Sequence, residues 1–344
     1  MAAFRCEYLR RRVLPKVVIN TKEAAEDAER FGGLLEQNGF QVQVVQDRRF
    51  AFGQTTAQEL TDLLRGASAV VAGATPYAAD VLQNLPDLRV IARTGVGFDK
   101  IDIAAATDNK VVVTITPNSN YEAVAEHAMM LIFAMAKSVV KVDKNTRLGL
   151  WPNSPTKPIR GSVLGIVGLG RIGKSLAVRA QTMKMEILAA EAMPDYAFIE
   201  KHNIELVDMR MLFQRADYIS LHCPLTDETR GLISKETLAL MKTEASVINT
   251  ARGGLVIEAD LADALKAGTI AGAGLDVFER EPTLPNDPFY GLDNVILSPH
   301  IAGSDHLSRQ AMGIEAANCI IDLSKGRWPG GAVVNGELKE KWSC

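Results

Sequence analysis

Val163-Leu164-Gly165-Ile166-Val167-Gly168-Leu169-Gly170-Arg171-Ile172-Gly173 is the stretch that decides the fold of this 344-residue chain. An apolar run short enough for a buried strand gives way to three glycines spaced G-x-G-x-x-G, and residues 174–182 then carry a helical pattern. The glycines have separate duties. Gly168 permits the tight strand-to-helix turn, Gly170 lets backbone approach a pyrophosphate, and Gly173 lets helix and strand pack closely while the helix N-terminus faces the negative charge. The next strand-like run, Ile187-Leu188-Ala189-Ala190, ends at Glu191. A carboxylate there accepts from ribose hydroxyls and repels a 2′-phosphate, and Ala192 adds no cation, so the pattern points to NAD rather than NADP.

Outward from this unit the same alternation recurs. Downstream strand candidates are Tyr218–Leu221, Ser246–Ile248, Ala273–Val277 and Val295–Leu297. Upstream, Lys16-Val17-Val18-Ile19 opens an earlier series that continues through Val42–Val45, Ala69–Val71, Arg89–Ala92 and Val111–Val113, with helical stretches over 23–37, 57–65 and 78–84. Asn38-Gly39 stops the first of these helices. Strands separated by helices imply βαβ units and parallel sheets. The period lapses between the two series, where residues 121–148 read as one long helix followed by a proline-broken, exposed loop at 151–158. Another helix runs from about 304 to 325 and returns to the first series, which makes that domain discontinuous.

A chain of this length exceeds one ordinary core and implies two domains. It is 47% hydrophobic and 23% charged, with a formal net charge of −3. That balance excludes nucleic acid and an anionic membrane as main partners. Cys6, Cys223, Cys319 and Cys344 show no CxxC or His-Cys spacing, so no metal site is expected and the thiols are read as reduced, in a cytoplasmic protein. The arginine-rich residues 1–15 are read as a disordered tail or a start-site artefact, with a targeting segment as the alternative. Glu126, His127 and Lys137 interrupt the apolar stretch 123–140, which suits a buried or interface helix better than a membrane span.

Three chemistry-bearing residues lie just beyond apolar runs: Arg252 in Asn249-Thr250-Ala251-Arg252-Gly253-Gly254, Glu281 before Pro282, and His300 in Ser298-Pro299-His300. A planar, permanently charged guanidinium grips a carboxylate and polarises a neighbouring carbonyl. An imidazole shuttles a proton, and a carboxylate bonded to it orients the ring and stabilises its protonated form. With a dinucleotide site in the same chain, the set suits hydride transfer on a 2-keto acid. Cys223 has no base at a recognisable spacing and is read as a wall residue rather than a nucleophile.

At this point the chain resembles the D-isomer-specific 2-hydroxyacid dehydrogenases over nearly all of its length. The matching motifs include Gly95-Val96-Gly97-Phe98-Asp99-Lys100-Ile101-Asp102, Val124-Ala125-Glu126-His127, the glycine turn, Leu221-His222-Cys223-Pro224-Leu225-Thr226, 249–254, 275–282 and 298–303. The resemblance implies two doubly wound parallel-sheet domains of α/β class. A Rossmann NAD-binding domain over 122–303 would be inserted into a flavodoxin-like substrate domain made of 16–121 and 304–344. It also assigns the cofactor to Gly168, Gly170, Arg171, Ile172, Gly173, Glu191, Cys223, Pro224, Thr229, Thr250, Ala251, His300 and Gly303. Asp276 would accept from the nicotinamide carboxamide.

The substrate carboxylate would meet the amides of Val96 and Gly97. Asn120 matches a position that approaches the substrate and equally suits an N-cap for the helix that follows. The helix near 121–148 would form a homodimer contact. The branch most resembled is that of the phosphoglycerate dehydrogenases, here without a regulatory domain. The loop Ala72-Gly73-Ala74-Thr75-Pro76-Tyr77 lacks an arginine for a phosphate, with Arg93 as a substitute, so the acid (3-phosphoglycerate, glyoxylate or hydroxypyruvate type) stays open. The alternative is an NAD-gated scaffold like the C-terminal-binding-protein corepressors, which keep the same catalytic residues. His127, His202, His222 and His306 are read as structural or solvated.

Overall fold

A computed structural model describes residues 15–21, 25–151, 153–340 and 342, with backbone alone for 25–27. The chain divides into two compact units, 1–120 with 304–344 and 121–303. The division falls one residue before the expected boundary. The arginine-rich stretch 1–14 and the expected start of the first helix at 23–24 lie outside the described residues. Pro15, expected in the tail, accepts a hydrogen bond from Gln41 N at 3.0 Å.

In the first unit, β1 (Lys16–Asn20), β2 (Gln41–Val44), β3 (Ala67–Ala72), β4 (Val90–Arg93) and β5 (Val112–Thr114) form one parallel sheet in the order β2-β1-β3-β4-β5. β3 is buried along its whole length, as a central parallel strand must be when both faces are covered. On one face lie the helices Ala25–Gln37 and His306–Ser324, with Phe31, Leu35, Ala316 and Ile320 in the shared core. Gly313 makes this packing possible, because a Cβ there would sit 2.3 Å from the Phe31 ring. The opposite face is filled by Leu60, Leu64, Val81, Leu82, Leu85 and Leu88. Local chemistry sets the helix ends. Thr56 and Glu59 form a reciprocal capping box, and Gly39 at φ +85° ends the first helix.

The second unit contains β6 (Val163–Val167), β7 (Glu186–Ala190), β8 (Glu205–Leu206), β9 (Tyr218–Leu221), β10 (Ser246–Asn249), β11 (Gly272–Leu275) and β12 (Val295–Leu297). All pair in parallel, in the order β12-β11-β10-β9-β6-β7-β8. The chain reverses its direction of travel between β6 and β9, and that switch point is where a doubly wound sheet opens a crevice at its carboxyl edge. β8 is only two residues long and carries no periodic signal, so the sequence reading passed over it.

The long helix expected over 121–148 is two helices, Tyr121–Ala136 and Val139–Arg147, meeting at 56°. The break falls at Ser138, whose φ is +51°. Burial explains the difference. The first helix packs on β11, where Gly272 and Gly274 leave room: Cβ atoms there would approach Met135 Cε to 2.5 Å and Leu131 Cβ to 3.1 Å. The second helix has no buried residue and follows its own charged sequence. No single helix among the described residues is long and apolar enough to cross a membrane.

Candidate active site

Every expected cofactor and catalytic position in the second unit lies beyond the carboxyl end of a strand of the same sheet. The glycine turn follows β6, Glu191 follows β7, Cys223 to Thr229 follow β9, Thr250 to Arg252 follow β10, Asp276 to Glu281 follow β11, and His300 to Gly303 follow β12. The three glycines can be told apart physically. Gly168 has φ +94°, and a Cβ on it would lie 2.7 Å from Cys223 N; at Gly173 a Cβ would lie 2.2 Å from the Gly168 carbonyl oxygen. Protein packing therefore demands both. At Gly170 nothing lies within 4 Å, so no protein contact requires glycine there. The open space is what the expected approach of a pyrophosphate to this backbone calls for. Gly170 also begins the helix Arg171–Thr182 without a side-chain cap, which leaves Arg171, Ile172 and Gly173 amides for an anion.

Other features fit the same group. Glu191 Oε2 accepts from Leu169 N at 2.5 Å and Oε1 from Met193 N at 2.9 Å, which holds the carboxylate beside the glycine turn. Thr250 is buried, and its hydroxyl has no hydrogen-bond partner among the described residues, as expected of a group meant for a ligand. Thr229 instead holds its own loop: its hydroxyl donates to the Pro224 carbonyl at 2.7 Å and accepts from Thr226 N at 2.8 Å. The amide of Ala251 is likewise used locally, by Asn249 Oδ1 at 3.0 Å. Burial pushes the Cys223 thiol up to about 11 and the His222 imidazole down to about 3, so neither carries a charge near neutral pH. Among the described residues no His, Cys, Asp and Glu group could hold a metal ion.

The expected pairing of His300 with Glu281 is formed. His300 Nδ1 lies 2.7 Å from Glu281 Oε2, and Glu281 Oε1 accepts from Phe278 N at 3.2 Å. The His300 side chain is 41% exposed and that of Glu281 28%, so both reach solvent, the ring more than its partner. Arg252 sits at the mouth of β10 with Nη1 2.6 Å from the Ala251 carbonyl oxygen. The Arg252 turn and the Glu281 loop are pressed together, since a Cβ on Gly253 would lie 1.9 Å from the Phe278 carbonyl carbon. A second tie joins them: Glu279 N donates to Glu258 Oε1 at 2.7 Å, and Glu258 N donates back to Glu279 Oε1 at 3.4 Å. The sequence reading missed this latch, whose only signal is two ordinary-looking glutamates.

Asp276, expected beside a nicotinamide carboxamide, is tied into the fold. It is 0% exposed, and its carboxylate accepts from Ser298 Oγ at 2.6 Å, Ile301 N at 3.0 Å and Ala302 N at 2.8 Å. Its own carbonyl takes His300 N at 2.8 Å. A carboxylate with three internal donors and no exposed surface builds the turn that presents His300, which stands at φ +54°. His127, read as structural or solvated, joins this network through Ser298 at 2.9 Å. His222 bonds Ser220 Oγ at 2.8 Å, and His202 packs against Phe198.

The remaining expected residues belong to the first unit. Thr94-Gly95-Val96-Gly97 follows β4, and Thr116 Oγ1 takes Gly95 N at 2.8 Å. Arg93 curls back over this turn; its Nη1 lies 3.3 Å from where a Gly95 Cβ would stand. Asn120 is buried, and its side-chain oxygen has no hydrogen-bond partner among the described residues, so the N-cap bond through that oxygen is not formed. The loop after β3 fills itself: Thr75 Oγ1 accepts from Asn20 Nδ2 at 3.0 Å, and Tyr77 is fully buried.

A family model described as D-isomer specific 2-hydroxyacid dehydrogenase, NAD binding domain, matches residues 129–302. A D-3-phosphoglycerate dehydrogenase of Archaeoglobus fulgidus is 37% identical over 294 residues, 85% of this chain and 55% of the relative. A glyoxylate reductase of Korarchaeum cryptofilum is 40% identical over 260 residues, 74% of this chain and 78% of the relative. The chain thus spans about half the length of the phosphoglycerate dehydrogenase it matches. Among solved structures, the TT0316 protein of Thermus thermophilus superposes with a TM-score of 0.82 at 31% identity, covering 93% of this chain and 100% of that one.

Proposed function

The chain belongs to the D-isomer specific 2-hydroxyacid dehydrogenases, residues 129–302 matching the family's NAD-binding domain, and on that premise we propose that it interconverts a small 2-keto acid and the corresponding D-2-hydroxy acid with NAD(H). The observation that carries this reading is the 2.7 Å bond from His300 Nδ1 to Glu281 Oε2. A carboxylate only accepts, so Nδ1 carries the hydrogen and Nε2 is the ring atom left to give a proton to the keto oxygen and to take it back in the reverse direction. Arg252 pairs with the substrate carboxylate and polarises the carbonyl, which its fixed fork of donors suits. In the first unit, the amides of Val96 and Gly97, with Asn120, are the proposed substrate contacts. The glycine turn, Glu191 and Thr250 would hold the dinucleotide, which when bound supplies or accepts the hydride. Glu281 orients the ring, and Asp276 orients the turn that carries it.

The substrate we favour is small and unphosphorylated, of the glyoxylate or hydroxypyruvate class. The loop after β3 offers no cation and is packed on itself by Asn20, Thr75 and Tyr77, and the glyoxylate reductase matches this chain over most of its own length. Arg93, at the end of β4, supports a phosphorylated acid as the second reading. The same proposal includes a homodimer formed through the helical region near 121–148, where Met130, Val139, Val140, Val142 and Leu148 are exposed. A reducing, cytoplasmic setting accords with Cys223 and Cys319 as free thiols.

The test is NADH and NADPH oxidation with glyoxylate, hydroxypyruvate, pyruvate and 3-phosphohydroxypyruvate side by side. Turnover of the small acids with NADH is expected. Strict use of the phosphorylated acid replaces the substrate, and no turnover of any acid favours the NAD-gated scaffold. Sedimentation that shows a monomer at micromolar concentration removes the dimer, and cell fractionation checks the location.

A further inference from the structure

We propose that His127 is a positioning residue for His300, acting through Ser298 and the buried carboxylate of Asp276; the inference rests on the proton-transfer role given to His300 above. His127 lies in the middle of the helix Tyr121–Ala136, which the unit-2 core holds on Leu131 and Ile132. Its side chain is 15% exposed, with Nε2 2.9 Å from Ser298 Oγ and 3.6 Å from Asp276 Oδ1. Ser298 Oγ is in turn 2.6 Å from Asp276 Oδ1.

The hydrogen positions follow from the chemistry of these groups. Asp276 as a carboxylate only accepts, so the single hydroxyl hydrogen of Ser298 goes to it. The Ser298 oxygen then accepts, and its donor is His127 Nε2–H. His127 thereby removes the rotational freedom of the Ser298 hydroxyl and holds it on Asp276.

The purpose of that arrangement lies two residues further along the chain. His300 adopts φ +54°, a conformation that side chains other than glycine avoid and that persists only where its surroundings over-determine it. Those surroundings are Asp276. Its carbonyl takes His300 N, while its carboxylate takes the amides of Ile301 and Ala302. Ser298, two residues before His300, ties the other side of the turn to the same carboxylate. The ring therefore meets Glu281 because its backbone is clamped from both sides, and His127 is the anchor that joins the clamp to a core helix.

The test compares His127→Leu, His127→Gln, Ser298→Ala and the double variant His127→Leu/Ser298→Ala in the full chain. Glutamine keeps an N–H donor at similar reach. His127→Leu should lower kcat by about tenfold to a hundredfold, the loss expected when a catalytic group is misplaced, with NADH affinity by fluorescence titration unchanged. It should also shift or broaden the low-field Nδ1–H proton resonance of His300, assigned by its disappearance in His300→Ala. His127→Gln should restore most of both, Ser298→Ala should reproduce the loss, and the double variant should be no worse than either single change, since the residues act in one chain. A folded His127→Leu with unchanged kcat and resonance overturns the proposal, and so do additive losses in the double variant. If His127→Leu does not fold, an unchanged kcat and resonance in Ser298→Ala overturn it instead. If the wild type reduces no 2-keto acid, the proposed function fails, and the resonance alone decides for or against His127.

Discussion

The turn after β6 and the turn after β12 end at the same edge of one sheet, yet they are built by opposite means. Between Gly168 and Gly173 the chain bends by omission: two glycines are required because a Cβ would strike Cys223 N or the Gly168 carbonyl, and the third faces open space. Around His300 the chain bends by addition. A residue with a full side chain is held at φ +54° by four hydrogen bonds into Asp276, three to its carboxylate and one to its carbonyl. A turn that must let a ligand approach its backbone discards side chains. A turn that must present an imidazole keeps one and supports it with a buried network.

The largest effect that separates the two is expected at His300 itself. His300→Ala should lower kcat by roughly 10²–10⁴ while NADH binding persists. His300→Gly should be as inactive but more stable than the alanine variant by about 1–2 kcal/mol, since glycine alone escapes the left-handed penalty. Paired activity and thermal melts check both halves, and a glycine variant less stable than alanine would remove the strain from the comparison.

The glycine turn should respond in the reverse sense. Gly173→Ala forces a methyl group against a backbone oxygen and should cost about 1–3 kcal/mol of stability, read as a lower melting temperature. Gly170→Ala meets no protein atom and should leave the melt unchanged, yet weaken NADH binding by about tenfold, about 1.4 kcal/mol. If Gly170→Ala binds NADH normally, the open space above it does not belong to the pyrophosphate.

A smaller effect concerns Cys223, which backs onto the glycine turn, and Cys319 in the other unit. Burial raises both thiols from an ordinary value near 9.0 to about 11. Between about pH 9 and pH 11 the unfolded chain therefore releases protons that the folded chain keeps, and stability should fall across that window and not below it. Denaturant midpoints across the alkaline range test the sign, and Cys223 should resist alkylation at neutral pH.

Most of the fold was legible because its signals are local. Apolar runs marked eleven of the twelve strands closely enough to order the loops, Asn38-Gly39 marked a helix end, and the glycine spacing marked the turn after β6. β8 escaped because two residues make no pattern. The single helix over 121–148 was wrong because both halves favour helix, and only the sheet beneath Gly272 and Gly274 reveals where burial stops and the chain turns at Ser138. In the candidate site, Arg252, Glu281 and His300 could be read from their own motifs. The burial of Asp276, the latch between Glu258 and Glu279, and the engagement of His127 could not.

What the sequence by itself determined is whatever a neighbour along the chain enforces: strand and helix alternation, the need for glycine where a Cβ has no room, and a chemistry-bearing side chain beyond β10, β11 and β12. Tertiary structure alone decided which polar groups meet. His127 and Ser298 are 171 residues apart and Asp276 and Ser298 are 22 apart. Their bonds exist because parallel strands deliver separate loops to one edge of a sheet, where burial turns a carboxylate inward to the turn it holds.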